Sequence, residues 1–342
     1  MRAAFIDKPF SISFIDDAPE PQITASNQVK IRVIVTGICG SEVHAFHGTH
    51  PFRIPPLVSG HEMAGVVVET GEDVTDFKQG DRVTVEPHYG CGRCFLCRDG
   101  AYNICAGKSV LGAKGWSGSF GEYIVVPQQT VLHIPDELSF EEGALIEPIA
   151  VGMHAVRISG LSVGDCAVVA GCGPIGLGVI MCAKLAGASK IIASDVLGFN
   201  LDKAKKMGAT HLIQAANENL CDSVREITQG KGADVSFLAF ATTQLFDDVL
   251  EATRRGGLIS KIAITNKPYE ILLSKLQQKE ISLQGSNMYV RRDYELVIDA
   301  ILQKKIDVSG FISGVMPVEK VVEAMEIVDK KTDNVIKMLL KF

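Results

Sequence analysis

The chain has 342 residues, a length typical of two domains, and its 46% apolar and 22% charged residues are ordinary for a globular protein. The net charge of −6 argues against a surface that coats nucleic acid, because such surfaces are basic. No basic segment with an apolar core opens the chain, and the longest apolar stretch, 167–183, carries four glycines and a proline. We therefore expect a cytoplasmic protein without a membrane partner.

Residues 1 to about 150 are predicted to form many short strands divided by glycine, proline and aspartate. The segment 29–35 alternates apolar and polar residues in its first half, which is typical of a half-buried strand. Similar short runs lie at 65–69, 82–85 and 123–127. The close spacing of these strands predicts a barrel-like or sandwich domain.

From about residue 155 the pattern changes to alternating strands and helices. The predicted strands are 166–170, 190–195, 210–213, 233–238 and 257–262, and the predicted helices are 174–186, 200–207, 220–228 and 243–254. This alternation predicts a parallel sheet covered by helices on both faces. Near the end, one helical stripe is predicted from Val321, Val322, Met325 and Val328, and residues 334–342 are predicted to form a closing strand.

A glycine-rich element, G-x-G-x-x-G, occupies 171–176 between a predicted strand and a predicted helix. Gly171 would allow the tight turn, Gly173 would let backbone approach a pyrophosphate, and Gly176 would let helix and strand pack closely. The alternative is a glycine turn that binds nothing. The predicted dinucleotide-binding residues are Gly171, Gly173, Pro174, Ile175, Gly176 and Asp195.

Asp195 lies 19 residues after Gly176, at the end of the next predicted strand. A carboxylate there can accept hydrogen bonds from the ribose hydroxyls and would repel a 2′-phosphate. The residues that follow offer no arginine to hold such a phosphate. The sequence therefore favours NAD over NADP.

Four of the nine cysteines crowd into fifteen residues, namely Cys91, Cys94, Cys97 and Cys105. Four thiolates suit a closed, tetrahedral structural zinc site. Disulfides are disfavoured by the expected compartment, and an iron–sulfur cluster also takes four thiolates.

A second, dispersed set of donors consists of Cys39, the pair His61 and Glu62, and Glu147. One thiolate, one imidazole and one or two carboxylates can form an open zinc site with room for a substrate oxygen. From spacing alone, ordinary packing of a single cysteine and histidine is the competing interpretation.

Five segments in this order resemble the zinc-dependent medium-chain dehydrogenase/reductase family: 37–44, 60–65, 91–105, 147–148 and 171–176. The glutamate at 147, where many alcohol dehydrogenases have cysteine, resembles the sorbitol dehydrogenase-like branch that acts on polyols, sugar acids and L-threonine. The resemblance implies an α/β fold with a GroES-like β-rich catalytic domain over 1–152, which includes a C-terminal return at 291–342. A Rossmann domain with a doubly wound parallel sheet would cover 153–290.

The resemblance implies that Cys39 and His61 are ligands of a catalytic zinc, in addition to the structural zinc. Glu62 and Glu147 are the implied carboxylate ligands, and either could bind the metal directly or through its water. Zinc would act as a Lewis acid on the alcohol oxygen, and NAD would accept the hydride.

Two further residues are implied to move the alcohol proton. Ser41 stands where the family has a serine or threonine that takes this proton, and His44 could extend the relay to solvent. The competing interpretation of Ser41 is the N-cap of a helix that begins at Glu42.

Some positions differ from the sorbitol branch. Met288 stands where that branch typically has arginine, and the histidine-rich loop 44–56 resembles bacterial relatives that oxidise sugar acids or phosphorylated hexitols. Arg53, Arg291 and Arg292 are candidate phosphate ligands, with solvated surface charge as the alternative.

The expected function is oxidation of a secondary alcohol in a polyol, sugar acid or hexitol phosphate to the ketone, with NAD and zinc. The alternatives are an L-threonine 3-dehydrogenase or butanediol dehydrogenase, a zinc-free reductase of the quinone or enoyl type, and a non-enzymatic protein that binds NAD and zinc. The family also implies a homo-oligomer, a dimer or tetramer, for which the short apolar strands around 258–264 and 281–284 are suitable.

Overall fold

The computed structural model describes residues 1–113, 115–240, 242–264, 268 and 270–342. They form two compact units, the first comprising Met1–Glu147 and Phe311–Phe342 and the second Pro148–Gly310. The domain boundaries expected at 152/153 and 290/291 stay a prediction. None of the described helices is both long enough and apolar enough to cross a membrane.

The part of the chain before residue 134 is rich in short strands. These are β1 (Ala3–Lys8), β2 (Ser11–Ile15), β3 (Gln28–Gly37), β4 (Glu62–Thr70), β5 (Arg82–Val85), β6 (His88–Tyr89), β7 (Ser109–Val110), β8 (Tyr123–Pro127) and β9 (Val131–His133). Among the described residues, two α-helices interrupt them, α1 (Gly40–Phe46) and α2 (Phe95–Arg98). The strands predicted at 29–35, 65–69, 82–85 and 123–127 lie within or coincide with β3, β4, β5 and β8.

Helices and strands alternate in the middle of the chain. The helices are α3 (Phe140–Ser159), α4 (Pro174–Leu185), α5 (Gly198–Met207), α6 (Leu220–Ile227), α7 (Thr243–Ala252), α8 (Leu273–Lys279) and α9 (Arg291–Leu302). The strands are β10 (Cys166–Ala170), β11 (Lys190–Asp195), β12 (His211–Gln214), β13 (Ala233–Leu238), β14 (Thr253–Lys261) and β15 (Ser282–Gly285). The chain then returns to the first unit with β16 (Ile312–Pro317), α10 (Val321–Lys330) and β17 (Lys337–Lys341).

The main sheet of the first unit has the strand order β16-β17-β3-β4-β5-β9, and β8 also pairs with β3. Along β3, Val29, Ile31, Val33 and Val35 are fully buried, as the alternating pattern predicts. Gly37, the last residue of β3, lies opposite Glu62 of β4 and opposite Leu339 of β17. The start of β4 and the middle of β17 therefore meet at the carboxyl end of β3.

The sheet of the second unit is wholly parallel, with the order β12-β11-β10-β13-β14-β15. This is the doubly wound order in which the first strand lies at the centre and the chain winds outward on both sides. All five residues of β10 are buried, as expected for a central strand covered on both faces. The predicted parallel α/β sheet is confirmed.

Candidate active site

Three elements of the first unit bring together the dispersed donors. Cys39 follows β3 and is the N-cap of α1, His61 immediately precedes β4, and Glu147 lies on α3. The donor atoms of His61, Glu62 and Glu147 lie within 4.8 Å of one another, and so do those of Cys39, Glu42 and His61. Both groups could hold a metal ion, and His61 belongs to each.

Glu42, in the first turn of α1, is a fully buried acid that the sequence interpretation did not include. Its Oε1 accepts hydrogen bonds from His61 Nδ1 at 2.9 Å, Ser59 Oγ at 3.0 Å and the Gly60 amide at 3.3 Å. Its Oε2 accepts from the Cys39 amide at 3.2 Å. Because these donors occupy the carboxylate, Glu42 orients His61 so that the Nε2 atom is left for a metal.

Arg53 supports this carboxylate instead of facing solvent. It is only 3% exposed, its Nη1 lies 3.6 Å from Glu42 Oε1, and the same atom donates to the carbonyls of Leu111 and Gly112 at 2.9 and 2.7 Å. Burial raises the pKa of Glu42, but the charges of His61 and Arg53 outweigh it and hold this pKa below its usual value. These contacts favour a structural role for Arg53 over phosphate binding.

Glu62 forms a buried ion pair with Lys337 of β17. The Lys337 Nζ lies 2.6 Å from Oε1 and 2.7 Å from Oε2, and it also donates to the Ile38 carbonyl at 3.3 Å. Burial lowers the pKa of Lys337, but the charge and hydrogen bonds of Glu62, together with neighbouring negative charges, raise it by a larger amount. The pKa of Lys337 therefore lies above its usual value. A Cβ atom at Gly37 would lie 2.2 Å from Glu62 Oε2, so a larger residue there would displace the carboxylate from its place beside Lys337.

Glu147 faces the other side of the imidazole. Its Oε1 lies 4.0 Å from His61 Nε2, and the residue is 5% exposed. Around His61 the structure therefore brings together a thiol, from Cys39, and a carboxylate oxygen, from Glu147, and zinc accepts both of these donors as well as an imidazole.

Ser41 and His44 lie on α1 but make different contacts. Ser41 Oγ donates to Glu42 Oε2 at 3.3 Å, and exposed His44 forms a hydrogen bond of 3.3 Å between Nδ1 and Thr49 Oγ1. Cys39 and not Ser41 is the N-cap, because the helix begins at Gly40. The proton relay through Ser41 and His44 stays a prediction.

The four crowded cysteines converge in the structure. The sulfur of Cys94 lies 3.5 Å from that of Cys97 and 3.7 Å from that of Cys105, and the sulfurs of Cys91 and Cys97 are 4.0 Å apart. Zinc–sulfur bonds of about 2.3 Å would place tetrahedral sulfurs about 3.8 Å apart, so this cluster fits zinc. The amides of Arg93 and Cys94 lower the pKa of the Cys91 thiol to about 6, which favours the thiolate that a metal needs.

The glycine-rich loop of the second unit has the close approaches that its pattern predicts. Gly171 has φ +91°, and a Cβ there would lie 2.6 Å from Phe240 Cβ. A Cβ on Gly176 would lie 1.8 Å from the Gly171 oxygen, whereas one on Gly173 would meet nothing within 4 Å. Gly173 is the N-cap of α4 and Pro174 its first residue, so first-turn amides border open space that an anion can enter.

Asp195 ends β11 beside this loop. Its Oδ2 accepts from the Cys172 amide at 2.7 Å and from Asn200 Nδ2 at 3.1 Å, and its Oδ1 accepts from the Leu197 amide at 2.9 Å. These bonds fix the carboxylate next to the glycine turn.

Comparison with known proteins agrees with this architecture. Residues 25–136 match the alcohol dehydrogenase GroES-like domain, and residues 174–326 match the zinc-binding dehydrogenase family. Sorbitol dehydrogenase of Bacillus subtilis strain 168 is 36% identical over 334 residues, which cover 95% of this chain and 93% of the relative.

Two solved structures are similar over nearly their whole length. The 2R,3R-butanediol dehydrogenase of Bacillus subtilis has 32% identity and a TM-score of 0.91, covering 100% of this chain and 99% of that one. An alcohol dehydrogenase of Escherichia coli CFT073, complexed with NADH, has 28% identity and a TM-score of 0.92 with the same coverage. The predicted GroES-like and Rossmann folds are thereby confirmed, and the chain belongs to the zinc-dependent alcohol dehydrogenase family, as an enzyme of the dehydrogenase class.

Proposed function

We propose that this dehydrogenase oxidises a secondary alcohol of a polyol, sugar acid or hexitol phosphate to the ketone, with NAD as hydride acceptor. The observation that carries the proposal is that the buried imidazole of His61 lies beside both the half-buried thiol of Cys39 and the buried carboxylate of Glu147. The sorbitol dehydrogenase relative supports the class of substrate. The butanediol dehydrogenase relative favours a small diol as the second candidate, whereas L-threonine shares only the common motifs.

Cys39, His61 and Glu147 would hold the catalytic zinc directly. Glu62 is the weaker candidate, because both of its oxygens bind Lys337 within 2.7 Å. Zinc, when bound, polarises the alcohol oxygen and lowers its pKa toward neutrality.

The protein's own groups orient the site and carry the proton. Glu42 holds His61 through Nδ1, which fixes the tautomer that presents Nε2. Ser41 would take the alcohol proton, and His44, three residues further along α1 and exposed, would release it to solvent.

The second unit would bind the dinucleotide at the glycine-rich loop. The amides at the start of α4 would contact the pyrophosphate, and Asp195 would accept hydrogen bonds from the adenosine ribose. The NADH complex of the Escherichia coli relative supports a nicotinamide cofactor, and the Asp195 carboxylate, which would repel a 2′-phosphate, favours NAD over NADP for this chain.

The test of function is NADH formation, followed by absorbance, with sugar acids, hexitols, hexitol phosphates, threonine and small diols. Cys39→Ser is compared with Cys221→Ser, a buried cysteine of the second unit, and each substrate is also run with NADP. We expect turnover of one polyol-like substrate with NAD, lost in Cys39→Ser and kept in Cys221→Ser. Activity that survives Cys39→Ser would refute the catalytic metal site, and turnover of diols alone would select the second candidate.

We also propose one structural zinc at Cys91, Cys94, Cys97 and Cys105, in addition to the catalytic ion. Elemental analysis should find two zinc ions per chain, one in Cys94→Ser and two in Cys221→Ser. Iron with visible absorbance, or an unchanged zinc content in Cys94→Ser, would contradict this assignment. Cytoplasmic location and assembly into a dimer or tetramer stay predictions.

A further inference from the structure

A groove of about 540 Å³ on the second unit is lined mainly by cations, and we name it the basic groove. Its charged lining residues are Arg225, Lys231, Arg254, Arg255, Lys275, Lys279 and Glu251. A second acid, Asp234, binds two of these cations. Six cations therefore face two carboxylates in a chain whose net charge is −6.

The basic groove lies at the amino ends of the parallel strands, whereas the glycine-rich loop lies at their carboxyl ends. In register, Leu238 at the end of β13 pairs with Ala170, which directly precedes that loop. The groove surrounds the other end, where Ala233 pairs with Thr253. Six strand residues separate the two ends by about 16 Å, so the basic groove is distinct from the dinucleotide loop.

A bulge in β14 brings two arginines to the groove. Ala233 pairs with Thr253 but Val235 pairs with Leu258, so extra residues leave the ladder between these pairs. The displaced residues include Arg254 and Arg255. Gly256 turns the chain back with φ +67°, a conformation that favours glycine.

The two acids fix the positions of five cations. Asp234 Oδ1 accepts from Arg254 Nε at 2.6 Å and from Lys231 Nζ at 3.0 Å. Glu251 lies within 3.8 Å of cationic nitrogens of Lys275, Arg225 and Lys279. Because each carboxylate contacts two or three cations, it fixes their positions but cancels only one of their positive charges.

Arg255 is the cation least engaged. It is exposed, and its Nη1 donates to the Gln278 carbonyl at 2.7 Å. Among the residues that the structure describes, no carboxylate lies within ion-pair distance of its guanidinium. Its other N–H groups are left for a ligand, and a guanidinium binds phosphate oxygens in a bidentate manner.

We propose that the basic groove binds a small polyanion that carries two or more phosphate groups. Its volume suits a small molecule, and ordered cations around a concavity concentrate anions there. The acidic net charge of the chain argues against an extended nucleic acid, whose binding surfaces are basic.

The test is calorimetric titration of zinc-loaded, full-length protein with inorganic tripolyphosphate at constant ionic strength. The titration is run with and without saturating NAD, so that any tripolyphosphate bound at the dinucleotide loop is identified by its loss when NAD fills that loop. We expect binding in the wild type that weakens at least tenfold in Arg255→Gln/Lys275→Gln and is unchanged in Lys304→Gln/Lys305→Gln, an exposed pair outside the groove. Gln278→Glu, which adds an acid without removing an ion pair, should also weaken binding, and circular dichroism checks that each variant folds.

Equal affinity in all variants would show that the anion binds elsewhere, and absence of binding in the wild type would refute the site. A mixed-sequence single-stranded oligonucleotide is the last arm. The small-ligand proposal would be overturned in favour of nucleic acid if the oligonucleotide bound more tightly than tripolyphosphate and if the groove variants weakened its binding to the same extent.

Discussion

Lys337 and Glu62 are both buried, and the charge of each is compensated by the charge of the other. Removal of either residue would therefore leave a buried charge without its partner. In Lys337→Met the carboxylate would remain buried without its cation. We expect the free energy of unfolding to fall by about 3–5 kcal/mol, the cost typical of one partner left alone. Urea denaturation followed by circular dichroism measures the change.

The double variant Lys337→Met/Glu62→Gln is the matched control, because it removes both charges. It should recover a large part of the loss, which a double-mutant cycle reports as a coupling free energy. If the losses of stability in Lys337→Met and in Glu62→Gln simply add up to the loss in the double variant, the ion pair does not stabilise the fold.

Three hydrogen bonds fix the position of the Asp195 carboxylate. We propose that this carboxylate selects NAD over NADP. Asp195→Asn keeps one acceptor oxygen but removes the charge that would repel a 2′-phosphate. The ratio of kcat/KM for NAD over NADP should fall by roughly tenfold to a hundredfold, since a charged hydrogen bond is worth about 1.5–3 kcal/mol. Asp202→Asn, an exposed acid on α5, should leave the ratio unchanged. An unaltered ratio in Asp195→Asn would remove the assigned role.

Asp293 joins the start of α9 to α3. Its Oδ2 accepts from the Val290 amide at 2.9 Å and His154 Nδ1 at 2.8 Å, and its Oδ1 accepts from Arg157 Nε at 2.7 Å. Burial raises the pKa of Asp293, but the hydrogen bonds from His154 and Arg157 lower it below the ordinary 3.8. The carboxylate therefore stabilises the fold above that ordinary value and loses this effect as pH falls through the lowered pKa.

Asp293→Asn should lower the free energy of unfolding by about 2–4 kcal/mol at neutral pH. The difference from wild type should shrink below about pH 4, because acid protonates Asp293 in the wild type as well. Urea midpoints at several pH values measure this, with Asp299→Asn on the exposed side of α9 as control. A difference that grows in acid would contradict the lowered pKa.

The elements that local sequence determines could be predicted closely. Strands β10, β11 and β13 have the predicted bounds, because each is a short apolar run bordered by residues that end a strand. The predicted helix at 174–186 ends one residue earlier, where the helix frays into a turn. The start of α1 differed from the N-cap interpretation of Ser41, since Cys39 occupies that position.

The candidate site could be predicted only in part. Motifs identified Cys39, His61 and Glu147, but they did not identify Glu42 or Lys337. The His61 contact of Glu42 spans 19 positions and the Glu62 contact of Lys337 spans 275, so only the folded sheet brings these residues together. Glu42 did carry a signal, an acid three residues after Cys39, whereas Lys337 lay in a strand predicted only as a closing element.

In the part of the chain that the structure describes, β15 is an edge strand of the second sheet with one strand partner, and its Leu283 is 44% exposed. We expect two copies to pair along this edge, because an unpaired strand is a ready template for another. Light scattering should give the mass of a dimer or tetramer for the wild type and a smaller mass for Leu283→Glu. Leu302→Glu, at a similarly exposed leucine of α9, should leave the mass unchanged. A monomeric wild type would refute this assembly.

The first unit is made from two distant stretches of the chain, and this fixes an order of events during synthesis. The second unit, Pro148–Gly310, is synthesised before β17. Until then, the nascent chain lacks Lys337 beside Glu62, and the last residues of β3, Val35 to Gly37, lack their β17 partners. A chain that stops after Gly310 would therefore expose unpaired backbone groups at the end of β3. Such an exposed strand can pair with the same strand of another chain and cause aggregation. The pairing of β17 with β3 is thus the step that protects the newly made enzyme from aggregation.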